Sequence, residues 1–61
     1  MKIPIPGELW KDESNKTVFI KSIRKDHPVY HDWIFYHILD YDLDSSCSLG
    51  SFVKYSTLVS G

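Results

Sequence analysis

The sequence predicts a mostly β domain, a small barrel of four to five short antiparallel strands with a single 3₁₀ turn before the last. Three observations carry this. Runs of β-branched and aromatic residues recur at "TVFIKSI" (17 to 23), "WIFYHILDY" (33 to 41) and "YSTLV" (55 to 59), and these residue types fit a pleated, half-buried surface. Clusters of Asp, Ser, Asn, Pro and Gly separate the runs, as turn chemistry requires. No stretch shows a sustained 3.6-residue apolar period of helical length.

The chain enters extended, because Pro4 and Pro6 lack an N–H and restrict the residues before them. A short strand is expected from Glu8 to Lys11. "KDESNK" closes a turn through Asp12, Ser14 and Asn15, which predicts a hairpin with a loop of about 4 to 5 residues before the strand 17 to 23. In that strand Val18, Ile20 and Ser22 share one face and Thr17, Phe19, Lys21 and Ile23 the other, so neither face is purely polar. "RKDHPVYHD" reads as a polar connection, since Pro28 is excluded from a regular central strand.

The next strand begins at Val29 or Trp33 and runs to Tyr41. A helical reading, in which Ile34, Ile38 and Tyr41 fit a 3.6 period, is outweighed by the β-favouring residues and by the alternation of Tyr41 and Leu43 with Asp40, Asp42 and Asp44. "SSCS" reads as loop. "LGSFVKY" is short and contains Gly50, which predicts a 3₁₀ turn between Leu49 and Lys54 rather than a helix.

Length sets the energetic frame. A chain of 61 residues is one domain, and at this size only about 60% of the unfolded surface is buried. A single core then supplies only about 3 to 5 kcal/mol. Cys47 is the sole cysteine, so no internal disulfide reinforces it, and the expected compartment is the cytoplasm. Seven basic and eight acidic side chains give a formal charge of −1, which neither draws nucleic acid nor imitates it. No signal peptide and no run of about 18 apolar residues is present, so the expectation is a complete soluble chain starting at Met1, with no membrane partner.

The strand from residue 33 raises a packing question, because Trp33, Ile34, Phe35 and Tyr36 are apolar on both faces. Trp33, Phe35, Leu39 and Tyr41 are expected inside, against Leu9, Val18, Ile20, Phe52 and Leu58. Ile34, Tyr36 and Ile38 then form an outer apolar strip of a kind that monomers seldom expose. Either the segment 42 to 55 covers it, the first choice, or a partner or second copy does, as in a homodimer.

Other constellations have ordinary explanations. His27, His31, His37 and Cys47 match no zinc spacing. "DYDLDSSCSLGS" opens like a calcium loop at Asp40, Asp42 and Asp44. It then places Ser45 where the loop needs glycine and Ser51 where it needs glutamate. No nucleophile elbow is present, and Cys47 has no basic neighbour in sequence to activate it. The expectation is a protein that is not an enzyme and needs no cofactor or metal.

The fold resembles the small SH3-like barrels, on Pro6-Gly7 feeding "ELW", the strands 17 to 23 and 33 to 41, and the closing "SFVKYSTLV". The aromatic-rich middle and the C-terminal serine, phenylalanine, turn and tyrosine segment also resemble short early-region proteins of tailed bacteriophages. That resemblance implies a binding module that acts on a host protein in the host cytoplasm. The residues expected to meet such a partner are Ile34, Tyr36 and Ile38, with Tyr30 and Arg24 at the rim, since Tyr and Arg are enriched at interface hot spots. The alternative is a nucleic-acid-binding barrel that uses Lys21, Arg24 and Lys25, with Trp10 as a stacking platform.

Overall fold

The computed structural model describes residues 3–29 and 31–60, with the backbone alone for His27 and His31. The elements are β1 (Leu9–Lys11), β2 (Thr17–His27), β3 (His31–Ile38), β4 (Leu43–Ser48), α1 (Leu49–Tyr55) and β5 (Thr57–Ser60). All strand pairs are antiparallel and form one sheet in the order β4-β3-β2-β1-β5. The sheet is open, since β4 and β5 are its two edges. The mostly β class therefore holds, but the strands do not close into a barrel.

The entry is held by a turn and a buried carboxylate. Glu8 N donates to Ile5 O at 3.0 Å across Pro6 and Gly7, and Gly7 has φ +96. Proline followed by a positive-φ glycine is the pattern of a type II turn. Glu8 is itself buried, and its Oε1 accepts from Ile5 N at 2.8 Å and from Trp10 Nε1 at 3.2 Å. One carboxylate thus fixes both the turn and the indole, and burial without such partners would be costly. Between β1 and β2, Asp12 Oδ1 accepts from Ser14 N and Lys16 N, both at 2.9 Å, and Asn15 sits at φ 63. The asparagine tolerates this left-handed position better than most residues do.

Strand β2 is longer than the run 17 to 23 and carries a bulge. Ile20 pairs with Tyr36 and Ser22 with Phe35, so Lys21 is an extra residue against β3. The insertion breaks strict alternation. Ile23 then faces the same side as Val18 and Ile20, and it pairs with Ile34, as Ile20 does with Tyr36 and Val18 with Ile38. The core consists of Trp10, Val18, Ile20, Ile34, Leu49 and Phe52, with Ile23, Tyr36, Ile38, Cys47 and Val53 packed against it.

Three expectations are corrected here. The β3 faces are reversed: Ile34 is 0% exposed, while Leu39 and Tyr41 are exposed in the loop that follows the strand. The serine-rich segment 43 to 48 is the edge strand β4. The expected 3₁₀ turn is the α-helix α1, because Leu49, Phe52 and Val53 present one face to the sheet and Ser48 Oγ accepts from Ser51 N at 3.4 Å as its cap. Gly50 lies in the first turn of α1, where glycine costs up to about 1 kcal/mol relative to alanine. Burial of Phe52 offsets it, at roughly 1.5 to 3 kcal/mol.

Phe52 is the plug of this arrangement. Its ring lies 5.5 Å from that of Trp10 and 5.2 Å from that of Tyr36, both tilted. The variant Phe52→Ala should lose about 3 to 5 kcal/mol, as much as a core of this size supplies. In urea, monitored by circular dichroism, it should show no folded baseline, and a cooperative transition near that of the wild type would contradict the assignment.

Candidate interaction site

The structure separates the residues that the sequence grouped as partner contacts. Ile34, Tyr36 and Ile38 lie on the α1 side of the sheet, inside or against the core. The physical reason is the register with β2, which sets Ile38 and Tyr36 opposite the core residues Val18 and Ile20, and the bulge at Lys21 then brings Ile23 opposite Ile34. The apolar strip is therefore covered by the chain's own helix, the first of the two alternatives raised by the sequence. The reason for pairing that strip with a second copy falls away. Tyr30 lies outside the described residues. Arg24 alone of the described contacts is exposed, on the opposite face.

That opposite face carries the aromatic side chains displaced from the core. Trp33 pairs with Arg24 and Phe35 with Ser22, and Phe19, 39% exposed, pairs with His37 further along the same face. Trp33, Phe35, Arg24, Asp26 and Pro28 line a shallow groove of about 200 Å³. Arg24 Nε and Nη2 donate to the two oxygens of Asp26 at 3.2 and 3.1 Å. This fork fixes the orientation of the guanidinium beside the groove, and the carboxylate keeps its pKa above the ordinary arginine value. Such an exposed pair adds little to stability. Its effect is on position. Alternation of Trp33 and Phe35 with Ile34 and Tyr36 showed two apolar faces, but nothing in the run itself told which was outside.

The basic set proposed for nucleic acid is also dispersed. Trp10 is 2% exposed and donates to Glu8, so its ring offers no platform for a base. Lys21 Nζ reaches Asp44 Oδ2 at 3.2 Å and Arg24 is engaged by Asp26, which leaves Lys25 exposed on β2.

The three aspartates have structural roles. Asp40 Oδ1 accepts from Thr17 N at 2.8 Å, which ties the β3–β4 loop to β2. His37 Nδ1 lies 2.7 Å from Asp44 Oδ1 and His37 Nε2 lies 2.9 Å from Asp42 Oδ1. An imidazole can donate from both nitrogens only when protonated, so this geometry selects the cation. The bond to Asp44 raises the His37 pKa above its ordinary value, and Asp42 adds to it. The same bond, with Lys21, lowers that of Asp44. Cys47 is half-buried, and burial pushes its thiol pKa up, away from a reactive thiolate. Among the described residues, no group of three His, Cys, Asp or Glu side chains is placed to hold a metal ion, and no helix is long and apolar enough to cross a membrane.

Comparison of the chain with protein-family models, with curated proteins and with solved structures finds no match.

The His37 clamp has a defined pH signature. A histidine with a raised folded pKa contributes stability fully below about pH 6.5, its unfolded value, and that contribution is lost as pH rises through the folded value. Asp44, with a lowered pKa, contributes above about pH 4 and is lost as pH falls through its own depressed value. The hairpin should be tightest between these limits. NMR titration of the His37 ring should give a midpoint above 6.5 that falls in the double variant Asp42→Asn/Asp44→Asn; an unchanged midpoint in that variant would contradict the clamp.

Proposed function

We propose that the chain is a small, non-enzymatic protein-interaction module that binds through the outer face of β2 and β3. The groove bounded by Trp33, Phe35, Arg24, Asp26 and Pro28 is the observation that carries this reading. Trp and Arg are the side chains most enriched at binding hot spots, where an apolar pocket is rimmed by polar groups. Phe19 extends the apolar surface along the sheet. The interaction site thus moves from the strip Ile34, Tyr36 and Ile38 to the face behind it, and Arg24 keeps its rim position.

In this reading the open sheet, with its helical segment before β5, is an unclosed relative of the small SH3-like barrels that the sequence resembles. In the form that the sequence resemblance implies, the module is phage-encoded and its partner is a host protein met in the cytoplasm. Nucleic acid is the less favoured partner, because Trp10 is buried and Lys21 and Arg24 already face carboxylates.

The test is affinity capture from bacterial lysate with the wild type, Trp33→Ser and Phe35→Ser, after circular dichroism confirms that each variant folds. A protein held by the wild type, resistant to nuclease, should be lost from both variants. Removal of a hot spot worth about 2 kcal/mol corresponds to roughly 30-fold in affinity. Oligonucleotide binding that falls steeply with salt and is lost in Lys21→Ala/Lys25→Ala would overturn the proposal in favour of phosphate contacts.

A further inference from the structure

On the other side of the sheet a second cleft of about 200 Å³ opens between the β1–β2 loop and α1. Its aromatic lining comes from Tyr36 on β3 and from Phe52 and Tyr55 on α1, and its charged lining from Asp12 and Glu13 in the loop. No lysine or arginine is among the residues that line it. Phe52 is nearly buried and forms the floor beside Tyr36, whereas Tyr55 is exposed at the rim. Ser14, Cys47, Ser51 and Ser56 complete the wall.

We propose that this cleft binds a small organic ammonium ion, a free amine of about the size of choline. Aromatic faces attract a cation through their quadrupole, and the attraction grows when the cation is partly desolvated. Glu13 and Asp12, the latter with its Oδ1 already accepting from Ser14 N and Lys16 N, set the sign of the ligand, and the aromatic rings favour an ammonium wrapped in methyl or methylene groups over a hydrated metal ion. A second observation points the same way. The ammonium of Lys54, the neighbour of Tyr55 in sequence, lies 5.3 Å from the centroid of that ring, so the Tyr55 ring is open to a cation, although Lys54 is not among the residues that line the cleft. The cleft is smaller than the 300 to 1,000 Å³ usual for drug-sized ligands, which restricts the occupant to a head group of a few heavy atoms. The site is independent of the outer groove, since it lies on the opposite face of β3.

NMR titration with choline, against its neutral carbon isostere 3,3-dimethylbutanol, tests the proposal. Choline should shift the ring signals of Tyr36 and Tyr55 with a Kd on the order of 1 mM, and the isostere should bind at least about 5-fold more weakly, because only the charge differs. Glu13→Gln should weaken choline binding and leave the fold unchanged, since this side chain is exposed in the loop. Tyr55→Ala should abolish the ring shifts at Tyr36. Absence of any shift at about 10 mM choline, a concentration far above the expected Kd, would overturn the proposal. Equal binding of the isostere, or binding unaffected by both Glu13→Gln and Tyr55→Ala, would do the same.

Discussion

The register between β2 and β3 decides which side of this sheet is inside. Side chains alternate along a strand, so a shift of one position exchanges the buried and exposed sets. At Lys21 the chain takes one residue more than its partner strand, and Ile23 joins Val18 and Ile20 on the core face. Their partners on β3 are Ile34, Tyr36 and Ile38. Without the bulge, Ser22 would take the place of Ile23 opposite the helix. Lys21 itself stays exposed and reaches Asp44, so the added residue also links β2 to the edge strand.

Everything on the core face follows from that choice. The chain has no disulfide to reinforce its short sheet, and α1 supplies the missing layer with Leu49 and Phe52. Phe52 meets Trp10 from β1 and Tyr36 from β3, and Glu8 anchors Trp10 from behind. The helix is too short to stand alone, since isolated helices below about 12 residues are marginal. It is held by what it covers. Trp33 and Phe35, excluded from this core by parity, become the outer groove, and the junction of α1 with the β1–β2 loop becomes the second cleft. Both candidate surfaces are therefore by-products of the same packing decision.

Much of the architecture was legible from residue types alone. The Asp12 loop, the two long strands and the last strand rest on local chemistry, and local chemistry does not depend on tertiary context. Val18, Ile20 and Phe52 were also placed correctly in the core. What escaped depends on contacts distant in sequence. Strand β4 reads "LDSSCS", which has loop composition, and it is a strand because β3 offers it an edge. The helix around Gly50 forms because Leu49 and Phe52 find the sheet. The reversed face of β3 has the deepest cause, since the register of β3 on β2 is set by pairing and leaves no mark in a run that is apolar on both faces. That error put Ile34, Tyr36 and Ile38 on the outer face, whereas they lie on the core side and Arg24 on the exposed one.

Two neighbouring substitutions, Ile34→Lys and Phe35→Lys, give the most direct test of which face is inside. Equilibrium urea unfolding, together with sedimentation, should find Ile34→Lys unfolded, because an unpaired charge in the core costs more than a small domain can supply. Phe35→Lys should remain a folded monomer with a loss of about 1 to 2 kcal/mol, the range for a partly exposed position. A folded Ile34→Lys beside an unfolded Phe35→Lys would contradict the account, restore the outer strip, and return Ile34, Tyr36 and Ile38 to the surface.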